Sequence, residues 1–183
     1  MMLNGVFYVI GRQDFTRGID RFEKTLDSDP NNVIALTLVG AGYGAANRLD
    51  DAERLSNKAI QLDSDSEHAY YNLGMVAQTR GDLDKALDYY KKATACTDAD
   101  GMDWFAVGSV DLAQGHQDEA KAALLKAVDV SPNLYQPHWN LASVYYSLHQ
   151  MDDCIRECKK VVELAPDSVE GQKAKRNLQA LGQ

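Results

Sequence analysis

Three cysteines and four histidines are the side chains here with the most chemistry to offer. Cys154 and Cys158 stand one helical turn apart, with His149 just before them, and could be drawn as part of a metal site. Free cysteine is also a small hydrophobe, and both positions recur along the chain as packing residues, Ala86 and Tyr90 or Ala120 and Leu124. The buried-core reading therefore takes precedence, and Cys96 falls on an apolar slot in the same way. An odd cysteine count without a spacing signature gives no disulfide framework. His68, His116, His138 and His149 are scattered, and none has a glutamate or cysteine at metal-motif spacing. Each reads as a surface or groove residue, with no triad partner implied.

Two acidic stretches invite a calcium reading. In Asp98 to Asp103, "DADGMD", the glycine is fourth from the first aspartate, whereas the calcium loop needs it sixth and an acidic residue twelfth. Asp63 to Glu67, "DSDSE", occupies the equivalent place one period earlier. Both read as turns. No metal, cofactor or catalytic group is expected, and the chain reads as a non-enzyme.

The elements that place these residues follow from a 34-residue period. It relates Gly40, Gly74, Gly108 and Ala142; Ala52, Ala86, Ala120 and Cys154; and Ala59, Ala93, Ala127 and Val161. Pro132 and Pro166 are one step apart, and Pro30 lies three steps before Pro132. Within each unit, apolar residues at i, i+3, i+4 and i+7, such as Tyr70, Leu73, Gly74 and Ala77, mark one face of a helix. Gly81 and Gly115 end that helix, and an acidic turn opens the next. A glycine inside a helix costs about 1 kcal/mol against alanine, so Gly74 needs a reason. The close approach of two antiparallel helices at Gly74 and Ala86 supplies one.

An aromatic, then Leu-Gly, then Ala, an aromatic, Ala and Pro within 34 residues resembles the tetratricopeptide repeat. The resemblance implies an all-α fold, a right-handed α-α superhelix of antiparallel helix pairs forming one solenoid domain over 1–183. The repeats run 1–32, 33–66, 67–100, 101–134 and 135–168, followed by a capping helix at 169–183. Gln172, Lys175 and Arg176 occupy slots that are apolar elsewhere, which suits a polar cap. Repeat one departs furthest, with Gly5-Val6 for Leu-Gly and Gly18 for Ala. Met1 falls at the third position of its repeat, so the chain opens inside a helix, with room for an upstream segment.

A net charge of -8 and a pI near 4.9 argue against nucleic acid and anionic membrane surfaces, which call for a basic face. Val6 to Ile10 is too short an apolar run for a membrane span or a signal core. A cytoplasmic protein with no direct membrane insertion is expected.

Function then rests on surface. The resemblance implies a concave groove lined by the first helices, at their second, fifth, ninth and twelfth positions. Among the 19 such positions of the five repeats there is no Asp, Glu, Lys or Arg, although composition predicts about five. The basic clamp of the heat-shock co-chaperones, which holds a terminal carboxylate, is therefore absent. Tyr71, Phe105 and Trp139 form a ladder at one position of successive repeats, with Met75, Met102 and Tyr146 beside it. Aromatics and methionine are favoured at adaptable binding surfaces. Asn72 and Asn140 stand one position on, where the O-linked N-acetylglucosamine transferase family holds peptide backbone with asparagines; Leu38 and Ala106 interrupt that ladder. The expected activity is that of an adaptor or scaffold binding an apolar or amphipathic protein segment. The alternative is a homo-oligomer in which the apolar segment Met1 to Ile10 docks into a neighbouring copy, and scaffolds of pilus assembly and magnetosome membranes resemble this size and layout.

Overall fold

The computed structural model describes the backbone of residues 12–182 and side chains from residue 19 onward. Met1 to Ile10 lies outside the described residues. The described residues form ten α-helices and no strand: α1 (Arg12–Ser28), α2 (Val33–Ala45), α3 (Leu49–Leu62), α4 (Glu67–Thr79), α5 (Leu83–Ala93), α6 (Gly101–Gln114), α7 (Gln117–Val130), α8 (Tyr135–Ser147), α9 (Met151–Leu164) and α10 (Val169–Ala180). The chain divides between Ala99 and Asp100 into two compact units. In the first, α2 pairs with α3 and α4 with α5, while α1 packs on α2. In the second, α6 pairs with α7 and α8 with α9, and α10 closes against α9.

The turn inside each pair is set by one residue. Asn47, Gly81, Gly115 and His149 are related by the 34-residue step, and all four adopt positive φ, at 61, 82, 83 and 58°. Each ends its helix with the same two backbone bonds. Gly81 N–H reaches Gln78 O at 3.0 Å and Asp82 N–H reaches Ala77 O at 3.0 Å; around His149 the counterparts are 3.1 and 2.9 Å. This Schellman geometry satisfies the orphan carbonyls of a helix end and favours glycine. The glycine breaks at 81 and 115 are as expected; Asn47 and His149 fill the same role at a conformational cost.

The acidic stretches are turn and cap chemistry. Asp100 and Asp103 form a capping box on α6, with Met102 N–H donating to Asp100 Oδ1 at 2.6 Å and Asp100 N–H to Asp103 Oδ2 at 2.8 Å. Asp65 accepts from Thr97 N–H at 3.3 Å. α5 has 11 residues against 14 in α3 and α7, so it stops short of this turn. Among the described residues no three His, Cys, Asp or Glu side chains are grouped to hold an ion.

The small-residue slots are interior throughout. Ala52, Ala59, Ala86, Ala93, Ala120, Ala127 and Val161 are fully buried. Gly74 is needed, but the neighbour that demands it is not chiefly Ala86. A Cβ there would lie 2.5 Å from the ring of Tyr90. That ring is held in place, its hydroxyl donating to Gln78 Oε1 at 2.9 Å, and burial raises its pKa well above the usual phenol value.

Candidate functional site

Tyr90 belongs to a periodic slot of its own: Ser56, Tyr90, Leu124 and Cys158, each at most 1% exposed. Opposite stand Gly40, Gly74, Gly108 and Ala142. In repeat four, as in repeat three, a large side chain fills the glycine's space, and a Cβ on Gly108 would lie 2.8 Å from Leu124 Cγ. Repeat two pairs glycine with serine, and there Asn72 of the next repeat reaches in, donating from Nδ2 to Thr37 O at 2.8 Å. Repeat five sets alanine against cysteine. The slot of Asn72 in the following helix is held by Ala174, which is buried in the core and has no amide to reach in.

A pocket of about 390 Å³ results. Trp139, Ala142, Ser143 and Tyr146 of α8 form one wall, Cys154 and Cys158 of α9 the floor, and Asn177, Ala180 and Leu181 the side toward α10. Burial pushes the Cys158 thiol up to about 11 and raises Cys154, although a hydrogen bond from Cys158 partly offsets the latter. Both thiols are thus neutral at physiological pH. Buried thiols of this kind are inert as nucleophiles, so the pocket offers an apolar, polarizable floor.

The residues expected to bind divide between the units. Trp139 and Tyr146 come together at the pocket, Tyr146 being 61% exposed. Phe105 is half-buried and packs, with Trp139, against the core of the second unit; Met102 is half-buried as well. In the first unit Met75 is exposed, and Tyr71 lies on Tyr90, ring centroids 5.3 Å apart at 56°. The asparagines are engaged within the stack. Asn72 is buried on Thr37, and Asn140 donates to Ser109 Oγ at 3.2 Å.

His138 is neither a surface nor a groove residue. It is 4% exposed, with Nδ1 2.6 Å from Glu157 Oε2 across the α8–α9 contact, while its Nε2 is buried without a partner. Glu157 also accepts from Arg156 Nε at 3.1 Å. The pair occupies the slots of Trp104 and Ala123 one repeat earlier.

Models of the tetratricopeptide repeat match residues 68–95, 104–134 and 135–168, the same units that the helix pairs and Schellman turns delimit. The chain belongs to the tetratricopeptide repeat family. Among solved structures, MamA is 27% identical with a TM-score of 0.68, the match covering 90% of this chain and 93% of that one. A thermophilic tetratricopeptide protein of Thermus thermophilus is 19% identical with a TM-score of 0.76, over 95% and 94%, and shows the fold alone. The BBSome complex member bbs-4 of Caenorhabditis elegans is 23% identical over 155 residues, 85% of this chain and 34% of that protein. The chain thus spans about a third of that relative's length. Tetratricopeptide proteins are protein-interaction scaffolds, generally without enzymatic activity, and this chain carries that scaffold. No helix among the described residues is long and apolar enough to cross a membrane.

Proposed function

We propose that this tetratricopeptide protein is a non-enzymatic adaptor, capturing an apolar or amphipathic segment of another protein on the uncharged stripes of its first helices. The observation that carries the reading is the meeting of Trp139 and Tyr146 at an open apolar pocket, in a stripe free of charge although the chain is 25% charged. Aromatic anchors beside a cavity are where binding energy concentrates. Helix-in-groove and extended-peptide docking both suit such a surface. Tyr71, Met75, Met102 and Phe105 extend the stripe within their own units, and Asn72 and Asn140 stiffen it from inside. The reading places its action in the cytoplasm.

The test is partner capture by the wild type against Trp139→Ala and Phe105→Ala, with helicity followed by circular dichroism. Loss of capture at unchanged helicity supports the reading. Capture that survives both changes removes it. A second reading, homotypic assembly, is favoured by apolar surface at the end of the stack, where Val169 is 65% and Leu181 38% exposed. Light scattering across a concentration series separates the two: a constant monomer mass eliminates assembly, and mass rising with concentration that falls back on deleting Met1 to Ile10 supports it.

A further inference from the structure

Repeats three and four put their own Tyr90 and Leu124 where repeat five, with Cys158, leaves space. We infer that this vacancy receives a side chain from outside: a tyrosine- or leucine-sized anchor of a protein segment that carries an acidic residue next to the anchor. The inference rests on the adaptor reading and names the chemistry of its partner.

Shape comes first. About 390 Å³ lies in the range of specific small-ligand sites, enough for one large side chain and its adjoining backbone. Trp139 and Tyr146 flank the opening, the two thiols give a polarizable floor, and Ser143 and Asn177 supply polar atoms for the anchor's main chain. The pocket is a missing residue of the repeat, so its shape is set by slots that elsewhere hold Tyr90 and Leu124.

Charge comes second. One 34-residue step beyond Tyr71, Phe105 and Trp139 the ladder reaches Lys173. The helical period places Lys173 one turn before Asn177, on the face of α10 that borders the pocket. Lys173 and Arg176 are exposed, and among the described residues neither has an ion pair. Glu170 shares the face of Lys173 but stands a turn farther from the pocket and makes no ion pair with it. On a chain of net charge -8, a lone basic rim beside an apolar pocket selects for an acidic flank and fixes the register of the segment.

The experiment uses the full chain and fluorescein-labelled peptides with one tyrosine between aspartates, compared with versions carrying lysine flanks or alanine in place of tyrosine. Fluorescence anisotropy at physiological ionic strength reads binding. The filled variant is Ala142→Gly with Cys158→Leu, which installs the Gly108/Leu124 pair of repeat four. If it fails to fold, Cys158→Met fills the pocket with a flexible side chain instead. The expected result is binding of the aspartate peptide to wild type, weakened at least about tenfold by filling the pocket or by removing the tyrosine. Lys173→Glu is expected to shift the preference toward lysine flanks. A folded, filled variant that binds like wild type overturns the inference, as does the absence of binding by every peptide. Binding that survives filling yet is lost in Phe105→Ala leaves the adaptor reading standing without this pocket. Binding insensitive to filling, to Phe105→Ala and to Tyr71→Ala takes down both.

Discussion

In repeat four Leu124 fills the space beside Gly108 so fully that a Cβ on the glycine would lie 2.8 Å from its Cγ. In repeat five Ala142 and Cys158 hold the same two slots, and about 390 Å³ stays open beside them. A second contact differs in kind as well: Trp104 and Ala123 in repeat four correspond to His138 and Glu157 in repeat five. A repeat protein can thus keep its backbone while exchanging one packed contact for a pocket and another for a buried polar pair. In repeat five His138 and Glu157 join α8 to α9 at 2.6 Å beside the packing of Leu141, Val144 and Tyr145 on Cys154 and Val161, while the neighbouring slot is small.

The largest expected effect tests the filled side of this comparison. Leu124→Ala empties a fully buried site and is expected to cost about 2–5 kcal/mol, read by urea denaturation. Cys158→Ala, at the equivalent slot, removes one atom beside existing space and is expected to cost under about 1.5 kcal/mol. Equal costs would mean that the pocket closes up in solution. Next is the polar tie. Glu157→Leu leaves His138 buried without its partner, a loss of about 1–3 kcal/mol, while the double change His138→Leu with Glu157→Leu should cost less than the sum of the singles. Strict additivity would show that the two side chains do not interact.

The turn slots give a smaller contrast. Gly115 and His149 share the left-handed conformation, at φ 83 and 58°, but only one of them is glycine. Gly115→Ala is expected to destabilise by about 1–2 kcal/mol and His149→Gly to stabilise by up to about 1 kcal/mol. A loss on His149→Gly would mean that its side chain makes contacts outweighing the strain.

Much of this was legible in the sequence. The period located every helix pair among the described residues, the small interior slots and the glycine turns, because backbone geometry repeats and each slot meets the same surroundings. The pocket was not legible from single positions. Cys158 alone looks like core, and it is; only comparing facing pairs, Gly108 with Leu124 against Ala142 with Cys158, shows that two small residues meet. The burial of His138 is hidden in the sequence for a related reason. Its slot is aromatic in repeats three and four, as Tyr70 and Trp104, but its partner Glu157 is not apolar, and a polar residue on a helix face ordinarily reads as solvated. The bonds of Asn72 to Thr37 O and of Asn140 to Ser109 Oγ are likewise invisible in the sequence, which shows the slot but not the acceptor within reach.

The smallest expected effect bears on the state of the pocket floor. The Cys158 thiol, ordinarily near 9.0, is pushed up to about 11 by burial. Below pH 9 the thiol is protonated in both folded and unfolded chains, so the native environment carries no titration penalty. As pH rises from 9 toward 11, the unfolded chain ionises while the folded one holds its proton, and stability falls through that window. Cys154 shifts the same way, and Tyr90 adds a similar loss only from about pH 10, the ordinary phenol value. Between pH 9 and 10 the thiols lead, and the raised tyrosines Tyr43, Tyr90 and Tyr145 contribute equally to wild type and to a Cys158 variant. Melting temperatures of wild type and Cys158→Ala at pH 8 and pH 10 should converge or cross, because the wild type loses more on the alkaline side. Repeat four, with Leu124 in the slot, has nothing there to titrate, so the filled variant with leucine at 158 should behave like Cys158→Ala. Parallel losses in all three proteins would mean that Cys158 ionises in the native state near its ordinary value. The floor of the pocket would then be wet, and an apolar anchor would have to displace that water before it could dock.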